Sequence, residues 1–584
     1  MSSKVLQIQR LLAQDDPANF ITQTWNTFNS QRQDKINDWL ELRNYIFATD
    51  TKSTSNGSLP WKNSTTTPKL CQIRDNLHSN YISALFPNDQ WLSWQAFTKD
   101  AAKHKVARVI EGYMENKCRE SHFRTEMSKL VYDYIDYGNA FSTVTYESEY
   151  KIGPDGTRIA GYVGPRIHRI SPLDIVFDPM AESIHKTFKI VRSIKTLGEI
   201  QRLARDEPEQ AFWADALNKR RELVSMLGGY SYEDFQKACG YTVDGFGNMY
   251  EYLMGNYMEI LEFYGDYCDN EGNLETDRII TITDRKNVVR DVQIPTWFGG
   301  APINHVGWRF RQDNLWAMGP LDNLVGMQYR IDHLENAKAD AFDLMIQPPL
   351  LISGTVEEFV WGPSAEIYAA EGGSVTEVSK SLNSVLSCDN QIAELESKME
   401  LYAGAPRDAM GIRTPGEKTA FEVNQLMTAA GRIFQEKATQ IEVELLEPTL
   451  NMMLESAKRN LSGADIIRVI DNDLNVQQFL TITKEDITAA GIIRPVGARH
   501  FSKQQQDLQN LVGIFNSPIG QMIMPHTSAI NMANLVSDIV GVRGYELFRT
   551  NVGIEEQQET QAAINQGQED LEVQQRMPIP AGTV

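Results

Sequence analysis

The sequence has few cysteines and no paired cysteine motif. Its five cysteines, Cys71, Cys118, Cys239, Cys268 and Cys388, stand singly in a chain of 584 residues. This spacing excludes zinc ribbons and favours buried thiols in a reducing compartment over a disulfide framework. The N-terminus also lacks the sustained apolar stretch of a secretion signal, so we expect no export.

The motifs of common catalytic sites are missing as well. There is no GxxxxGK[ST] phosphate loop, no HExxH and no GxSxG, and Gly245-Phe-Gly247 lacks the third glycine of a dinucleotide site. The nine histidines stand singly, and we expect His78, His168 and His333 to be solvated or hydrogen-bonded structural residues. We therefore expect no catalytic residue, no metal, no cofactor and no enzymatic activity.

Positive charge is scarce. Lys plus Arg number 56 against 77 Asp plus Glu, which gives a net charge of -21. A protein that grips phosphates over a broad surface needs clustered cations, so this class is disfavoured. The 42% hydrophobic fraction is that of a folded protein with a sizeable core.

One long segment, residues 508–537, lacks charged side chains and has the length of a membrane span. Eleven of its thirty residues are Asn, Gln, Ser, Thr or His, and Pro518 and Pro525 interrupt it. Each of these polar groups would need a partner in hydrocarbon. We therefore expect packed helical hairpins here and no membrane role.

The first half alternates between helical and strand patterns. Helical spacing predicts a helix or helix pair over 19–47, then helical structure over 70–85, 101–117, 121–137 and 197–240, with an irregular Ser/Thr-rich loop over 49–68. A hairpin is expected to turn at 154–156, and three strands are expected over 258–264, 278–283 and 288–294. Trp25, Trp39, Trp91 and Trp94 are expected in the core.

The turn at residues 266–273 invites interpretation as a calcium loop. With Gly272 at the sixth place of such a loop, the first ligand position falls on Tyr267 and the twelfth on Arg278. Neither side chain is a calcium ligand. A polar hairpin turn is the better interpretation.

The second half is dominated by long helices. A helix is expected from Pro320 to Ile346 with one narrow apolar seam, and a second from about Asp389 to Ala403. A loop over 404–418 then leads to Thr419-Ala-Phe-Glu422, a capping box that opens a helix running to about Lys458 with a kink near Pro448. The tail, 555–584, has too few apolar residues to fold alone.

Several short motifs, in this order, resemble the portal (head-to-tail connector) proteins of short-tailed bacteriophages. They are Ala84-Leu85-Phe86-Pro87 with Trp91, Gly138-Asn139, Arg309-Phe-Arg, Gly319-Pro-Leu-Asp-Asn-Leu, and Thr414-Pro-Gly-Glu-Lys-Thr-Ala-Phe-Glu422-Val. Each motif alone is weak, but their order and spacing extend over about residues 20 to 460. Beyond about residue 495 no close resemblance is found.

The resemblance implies an α+β, mainly helical portal fold with wing, stem, clip and crown regions, assembled as a ring. It implies the following division: wing, 1–318; stem helix 1, 319–347; clip, 348–388; stem helix 2, 389–403; tunnel loop, 404–418; long wing/crown helix and connection, 419–494; crown helices, 495–554; Gln-rich acidic tail, 555–584.

The same resemblance implies three groups of site residues. The DNA-channel tunnel loop would use Arg407, Asp408, Arg413, Glu417 and Lys418; partner docking at the clip would use Glu357, Glu358, Trp361 and Glu366; stem packing would use Leu324, Ile331, Leu334, Ala341, Ile392, Leu395 and Met399. Two alternatives stay open at this point. The tunnel-loop charges would pair with one another at a helix end, and the clip residues would be ordinary solvated surface.

The function implied is a non-enzymatic ring, commonly of twelve copies, through which double-stranded DNA is packaged and ejected at one capsid vertex. The implied partners are terminase, a tail adaptor, and major capsid and scaffolding protein, for a virion component made in the cytoplasm of a bacterial host. An acidic channel wall would repel DNA and let it slide. The alternatives are another structural virion protein, of the tail or interior, and, with less support, a packaging enzyme.

Overall fold

A computed structural model describes the chain in segments. The described residues are 16–47, 63–86, 91–96, 103–152, 158–206, 212–225, 256–269, 271–295, 300–346, 348, 350–357, 368, 371–377, 382–404, 433–461, 465–471, 476–482, 484–487 and 491–495. They divide between two compact units. The first comprises 1–464 and 483–495, and the second comprises 465–482 and 496–584.

The helices of the first unit are α1 (Pro17–Gln31), α2 (Gln33–Phe47), α3 (Lys69–Leu85), α4 (Lys103–Glu120), α5 (Phe123–Asp136), α6 (Leu197–Asp206), α7 (Phe212–Ser225), α8 (Val325–Ile346), α9 (Leu382–Tyr402), α10 (Glu447–Asn460) and the single turn α11 (Lys484–Ile487). Short 3-10 turns lie at Pro172–Asp174 and Asp322–Leu324. Residues 433–441 are also helical, and a π-helical stretch, Glu442–Leu446, joins them to α10.

The strands are β1 (Leu92–Ala96), β2 (Asn139–Ile152), β3 (Arg158–Ile170), β4 (Ile175–Phe177), β5 (Lys189–Thr196), β6 (Tyr257–Cys268), β7 (Leu274–Thr283), β8 (Asn287–Gln293), β9 (Ile303–Gly307), β10 (Arg309–Arg311), β11 (Asn314–Met318), β12 (Leu350–Ser353), β13 (Ser374–Glu377), β14 (Asp465–Asp471), β15 (Val476–Ile482) and β16 (Gly491–Pro495). The larger sheets have the orders β4-β5-β6-β7-β8 and β3-β2-β9, and every pairing is antiparallel. Two-stranded pairs are β1-β16, β10-β11, β12-β13 and, in the second unit, β14-β15.

The five-stranded sheet carries helices on both faces. Leu261 and Phe263 of β6 pack with Trp25 of α1, whereas Met258 and Ile260 of the same strand pack with α6 and α7. Successive side chains of a strand point to opposite faces, so one apolar run serves two cores. The three-stranded sheet packs its buried face against α2 through Trp39 and Phe141.

One arginine holds the turn that leads into β4. Arg32, between α1 and α2, donates to the carbonyl oxygens of Pro172, Leu173 and Ile175 at 2.6, 2.5 and 2.8 Å, respectively. Two of these carbonyls belong to the 3-10 turn and one to the first residue of β4, and buried carbonyls need such partners. The contact also fixes the corner at which the first two helices meet.

Much of the pattern expected from the sequence is confirmed. The fold is α+β, the helices of the first half lie within three residues of their expected positions where described, and the hairpin and the three-strand meander are present. Trp25, Trp39 and Trp94 are buried, and Trp91 stacks on Phe123 with centroids 5.6 Å apart. The wing, clip and crown boundaries stay predictions.

Two expectations about the second half were wrong in detail. The first long helix begins at Val325, because Asp322 accepts the Gly319 N–H and the turn after it is 3-10. The second begins at Leu382, seven residues before the expected Asp389. The connection after the last long helix contains β16, which pairs with β1, about 400 residues earlier in the chain.

Within the described residues, no helix combines the length and apolarity that a bilayer span requires. The segment 508–537 lies outside them. Cys71, Cys118, Cys268 and Cys388 all carry free thiols.

Candidate functional site

The candidate site is built on α8 and α9, which run antiparallel. Lys338 near the end of α8 reaches Asp389 near the start of α9 at 2.8 Å, while Lys69, next to the start of α8, reaches Glu400 near the end of α9 at 2.6 Å. The hydrogen bond to Asp389 raises the pKa of Lys338. The two helices therefore lie side by side in opposite directions along their length, and we call the pair α8 and α9 the rod.

The apolar seam expected on this pair is largely buried within the chain itself. Leu324, Ile331, Leu334, Ile392 and Met399 are buried, and Ala341 and Leu395 are half-buried. Packing of these side chains between subunits stays a prediction.

A polar stripe on α8 was missed by the sequence analysis. Gln328, Asp332, Asn336 and Asp340 recur every four residues, and the first three are 0–1% exposed. This stripe faces an extended segment, residues 63–68, which we call the strap. The signal of the stripe in the sequence is the four-residue spacing of amide and carboxylate side chains, which is equally typical of the solvent-exposed side of an amphipathic helix.

The stripe binds the backbone of the strap at alternate residues. The side chain of Asp340 accepts the N–H of Asn63 at 2.9 Å, Asn336 accepts the N–H of Thr65 at 2.9 Å and donates to its carbonyl at 2.8 Å, and Asp332 accepts the N–H of Thr67 at 2.9 Å. Gln328 donates to the Thr67 carbonyl at 2.7 Å.

Two simple repeats make this ladder possible. Four residues of α-helix rise about 6 Å, and two residues of extended chain span about 6.6 Å. The two repeats stay in step over the few rungs observed. The side chains of α8 thus take the place of a neighbouring strand. They also accept from two strap side chains: Asn63 donates to Asp340 at 2.8 Å and the Thr65 hydroxyl donates to Asn336 at 3.1 Å.

Removal of the central amide is expected to weaken this contact strongly. The variant Asn336→Ala leaves both backbone groups of Thr65 without their partner, which is expected to cost about 2 kcal/mol or more of unfolding free energy. Thr65→Ala is the comparison variant: it keeps both backbone bonds and removes only the hydrogen bond from the Thr65 hydroxyl to Asn336, at 3.1 Å, so it should cost about 1 kcal/mol or less. Urea unfolding measures both, and equal losses would contradict the backbone-recognition account.

The start of the rod is joined to the three-stranded sheet by two glycines and an asparagine. A Cβ on Gly138, which has φ +67°, would lie 2.4 Å from the backbone N of Gly319. Asn139 accepts the N–H of Ala317 and donates to its carbonyl, both at 3.0 Å. The motifs Gly138-Asn139 and Gly319-Pro therefore meet in space, where two backbones cross too closely for any side chain.

The far end of the rod carries the short β12-β13 ribbon. Glu357 is exposed. Its N–H donates to the carbonyl of Tyr368 at 3.0 Å, so the two chain segments that continue from the ribbon remain hydrogen-bonded at these residues. The other expected docking residues, Glu358, Trp361 and Glu366, lie outside the described residues. Only Glu357 of this set can therefore be placed.

All five expected tunnel-loop residues, Arg407, Asp408, Arg413, Glu417 and Lys418, lie outside the described residues, as does the capping box at 419–422. The helix beyond them is anchored at residues 433–441, where Lys437 and Gln440 donate to the carbonyls of Trp308 and Gly307 at 2.5 and 2.9 Å. The π-helical stretch that follows ends just before Pro448, near the expected kink.

The histidines of the first expectation have ordinary partners. His78 bonds Ser128 at 2.9 Å, His168 bonds Glu147 at 2.6 Å, and His333 lies 3.3 Å from Arg330. No group of three or more His, Cys, Asp or Glu in the described part is placed to hold a metal ion.

Comparison with known proteins gives a likeness among solved structures. No family model matches the chain, and no curated protein matches it. Among solved structures, the chain is similar to a chain described as "Neck of empty GTA particle computed with C6 symmetry", with 10% sequence identity, a TM-score of 0.35, and coverage of 84% of this chain and 94% of that one. A likeness at this TM-score does not define the fold family of the chain.

Proposed function

We propose that this chain is a portal protein: copies of it form a ring at one capsid vertex of a tailed phage particle, and double-stranded DNA passes through the ring during packaging and ejection. The proposed role is non-enzymatic. Terminase and the tail adaptor would dock on the ring, and major capsid and scaffolding protein would surround it, after synthesis in the host cytoplasm. The motif resemblance in the sequence supports this proposal.

The observation that carries the proposal is the exposed apolar surface of the rod. Eight of the eighteen large hydrophobic side chains that are exposed in the described residues lie between 342 and 402. They are Phe342, Leu344, Ile346, Leu351, Ile352, Tyr368, Leu401 and Tyr402. Ile346 is 76% exposed, although it ends a helix whose other face is well packed.

Exposed apolar surface at this density marks an interaction site in soluble proteins. Six of these side chains lie on the last turns of α8, on the ribbon and beyond it, and Leu401 and Tyr402 lie at the other end of the rod, where α9 ends. A rod that presents apolar side chains at both ends suits side-by-side packing with identical rods. Head-to-tail repetition of one contact between identical chains closes into a ring when the rotation allows it. A second copy of this chain is therefore the partner that we propose for the rod.

Charge at this surface is expected to block assembly. In the double variant Phe342→Asp with Ile346→Asp, two carboxylates would have to lose water on packing, so rings should give way to folded monomers. Met180→Asp is the matched control, because Met180 is 83% exposed and lies outside the rod.

Sedimentation velocity and circular dichroism of both variants and the parent chain provide the measurement. Persistence of the oligomer in the double variant would contradict the proposed interface. A parent chain that is itself monomeric would favour a different structural component of the particle.

A further inference from the structure

The contact between the strap and α8 contains a buried acid whose hydrogen bonding is incomplete. Asp332 is 0% exposed. Its Oδ1 atom accepts from Thr67 N and from Gln328 Nε2, at 2.9 and 2.8 Å. Its Oδ2 atom, also buried, has no hydrogen-bond partner in the described part of the chain, and the same holds for the hydroxyl of Thr66 on the strap.

Within the described part of the chain, no cation forms an ion pair with Asp332. The strap has no titratable side chain, and Glu335 of α8 adds negative charge nearby. The nearest cation at the start of α3, Lys69, is engaged by Glu400 at 2.6 Å and lies 3.9 Å from Glu396, both on α9. A carboxylate in this position is both desolvated and next to another acid, and either condition favours the neutral carboxyl.

We propose that docking of the strap on α8 depends on pH. The strap is bound more firmly when the Asp332 carboxyl is protonated, and it is released more often once the carboxylate forms. The proton is exchanged with solvent when the strap opens. The strap connects α8 to the helices of the first half, so its release loosens the base of the rod. This inference does not depend on the proposed function.

The direction of the effect follows from the two protonation equilibria. Burial raises the pKa of Asp332 from the ordinary 3.8 to about 6 in the docked state. Docking is then firmest below about pH 4 and weakens as the pH rises to about 6, because Asp332 binds its proton less tightly once the strap is released. Between pH 5 and pH 7.5 the opening equilibrium should shift about tenfold toward release.

Native-state hydrogen exchange of the full chain tests this proposal. The protection of the Thr65 and Thr67 amides, corrected for the intrinsic exchange rate, should fall about tenfold from pH 5 to pH 7.5. In Asp332→Asn the protection should not depend on pH over this range. Asp343→Asn is the matched control: Asp343 accepts from the side chain of Asn63 at the exposed end of the strap, at 3.1 Å, and its loss should leave the pH dependence unchanged.

Amides in the centre of β2 report whether each variant is folded. Protection of the strap that is constant with pH in the parent chain would overturn the proposal. A pH dependence that survives in Asp332→Asn would overturn it equally, because another group would then be the titrating one.

Discussion

Replacing Arg285 with alanine is expected to cost about 3–5 kcal/mol of unfolding free energy, since it removes one half of a buried ion pair. The guanidinium of Arg285 donates to both carboxylate oxygens of Glu259, at 2.8 and 2.9 Å, and to the side chain of Asn26 at 3.0 Å. The side chains of Arg285 and Glu259 are 1% and 0% exposed. Without its guanidinium partner, Glu259 must hold an unpaired charge away from water or bind a proton, and burial already raises its pKa to about 8.

This pair belongs to a larger junction. Thr22 of α1 donates to the Arg285 carbonyl at 3.1 Å, and the neighbouring Asp284 accepts from Arg220 of α7 at 2.6 Å. The two ion pairs together join α1, the sheet and α7. Arg285→Ala should therefore loosen both faces of the five-stranded sheet at the same time.

Two further variants make the expectation specific. Arg311→Ala removes an exposed arginine that lies 3.8 Å from Asp313, and it should cost less than about 1 kcal/mol. The double variant Arg285→Met with Glu259→Met removes both charges and should be less destabilised than Arg285→Ala. Denaturant unfolding of all three decides the matter, and a loss below about 1 kcal/mol for Arg285→Ala would refute the account of this junction.

A second large effect is expected at Gly138. Valine at this position would be held at φ +67° and would place its Cβ 2.4 Å from the backbone of Gly319. Backbone strain costs about 1–3 kcal/mol and overpacking a similar amount, so Gly138→Val should lose about 4 kcal/mol. The structural change should be largest where Gly138 meets Gly319, because this crossing positions the start of α8 against the three-stranded sheet.

Gly326 provides the control for this substitution. It lies in α8, and a Cβ added there meets nothing within 4 Å. Gly326→Ala should be neutral or stabilising by up to about 1 kcal/mol, since alanine favours the helix. Thermal unfolding distinguishes the two variants. Similar melting temperatures for Gly138→Val and the parent chain would contradict the close crossing.

The periodic elements were predictable because their signal is local. The alternation of Leu261, Phe263 and their neighbours predicts a strand, and the aromatic spacing around Trp25 and Trp39 predicts helices. The rod was predicted from the seam of Leu324, Ile331 and Leu334. In each case the spacing of apolar side chains predicted which face of the element is buried.

The features that the sequence did not predict depend on distant partners. Asn336 and Asn139 look like ordinary polar residues until Thr65 and Ala317 are placed beside them, 271 and 178 residues away. Asn451 binds both backbone groups of Ile493 in the same way, at 2.9 and 3.0 Å. In each of these three places a side-chain amide makes the backbone hydrogen bonds that a neighbouring strand would otherwise make. Local propensity does not predict such contacts.

The proposed ring is tested most directly by images of single particles of the purified full-length chain at several salt concentrations. A portal protein is expected to give closed rings with a central hole, commonly with twelvefold symmetry, and side views in which the paired helices lie next to one another around the hole. Monomers or open filaments under all of these conditions would contradict the proposal.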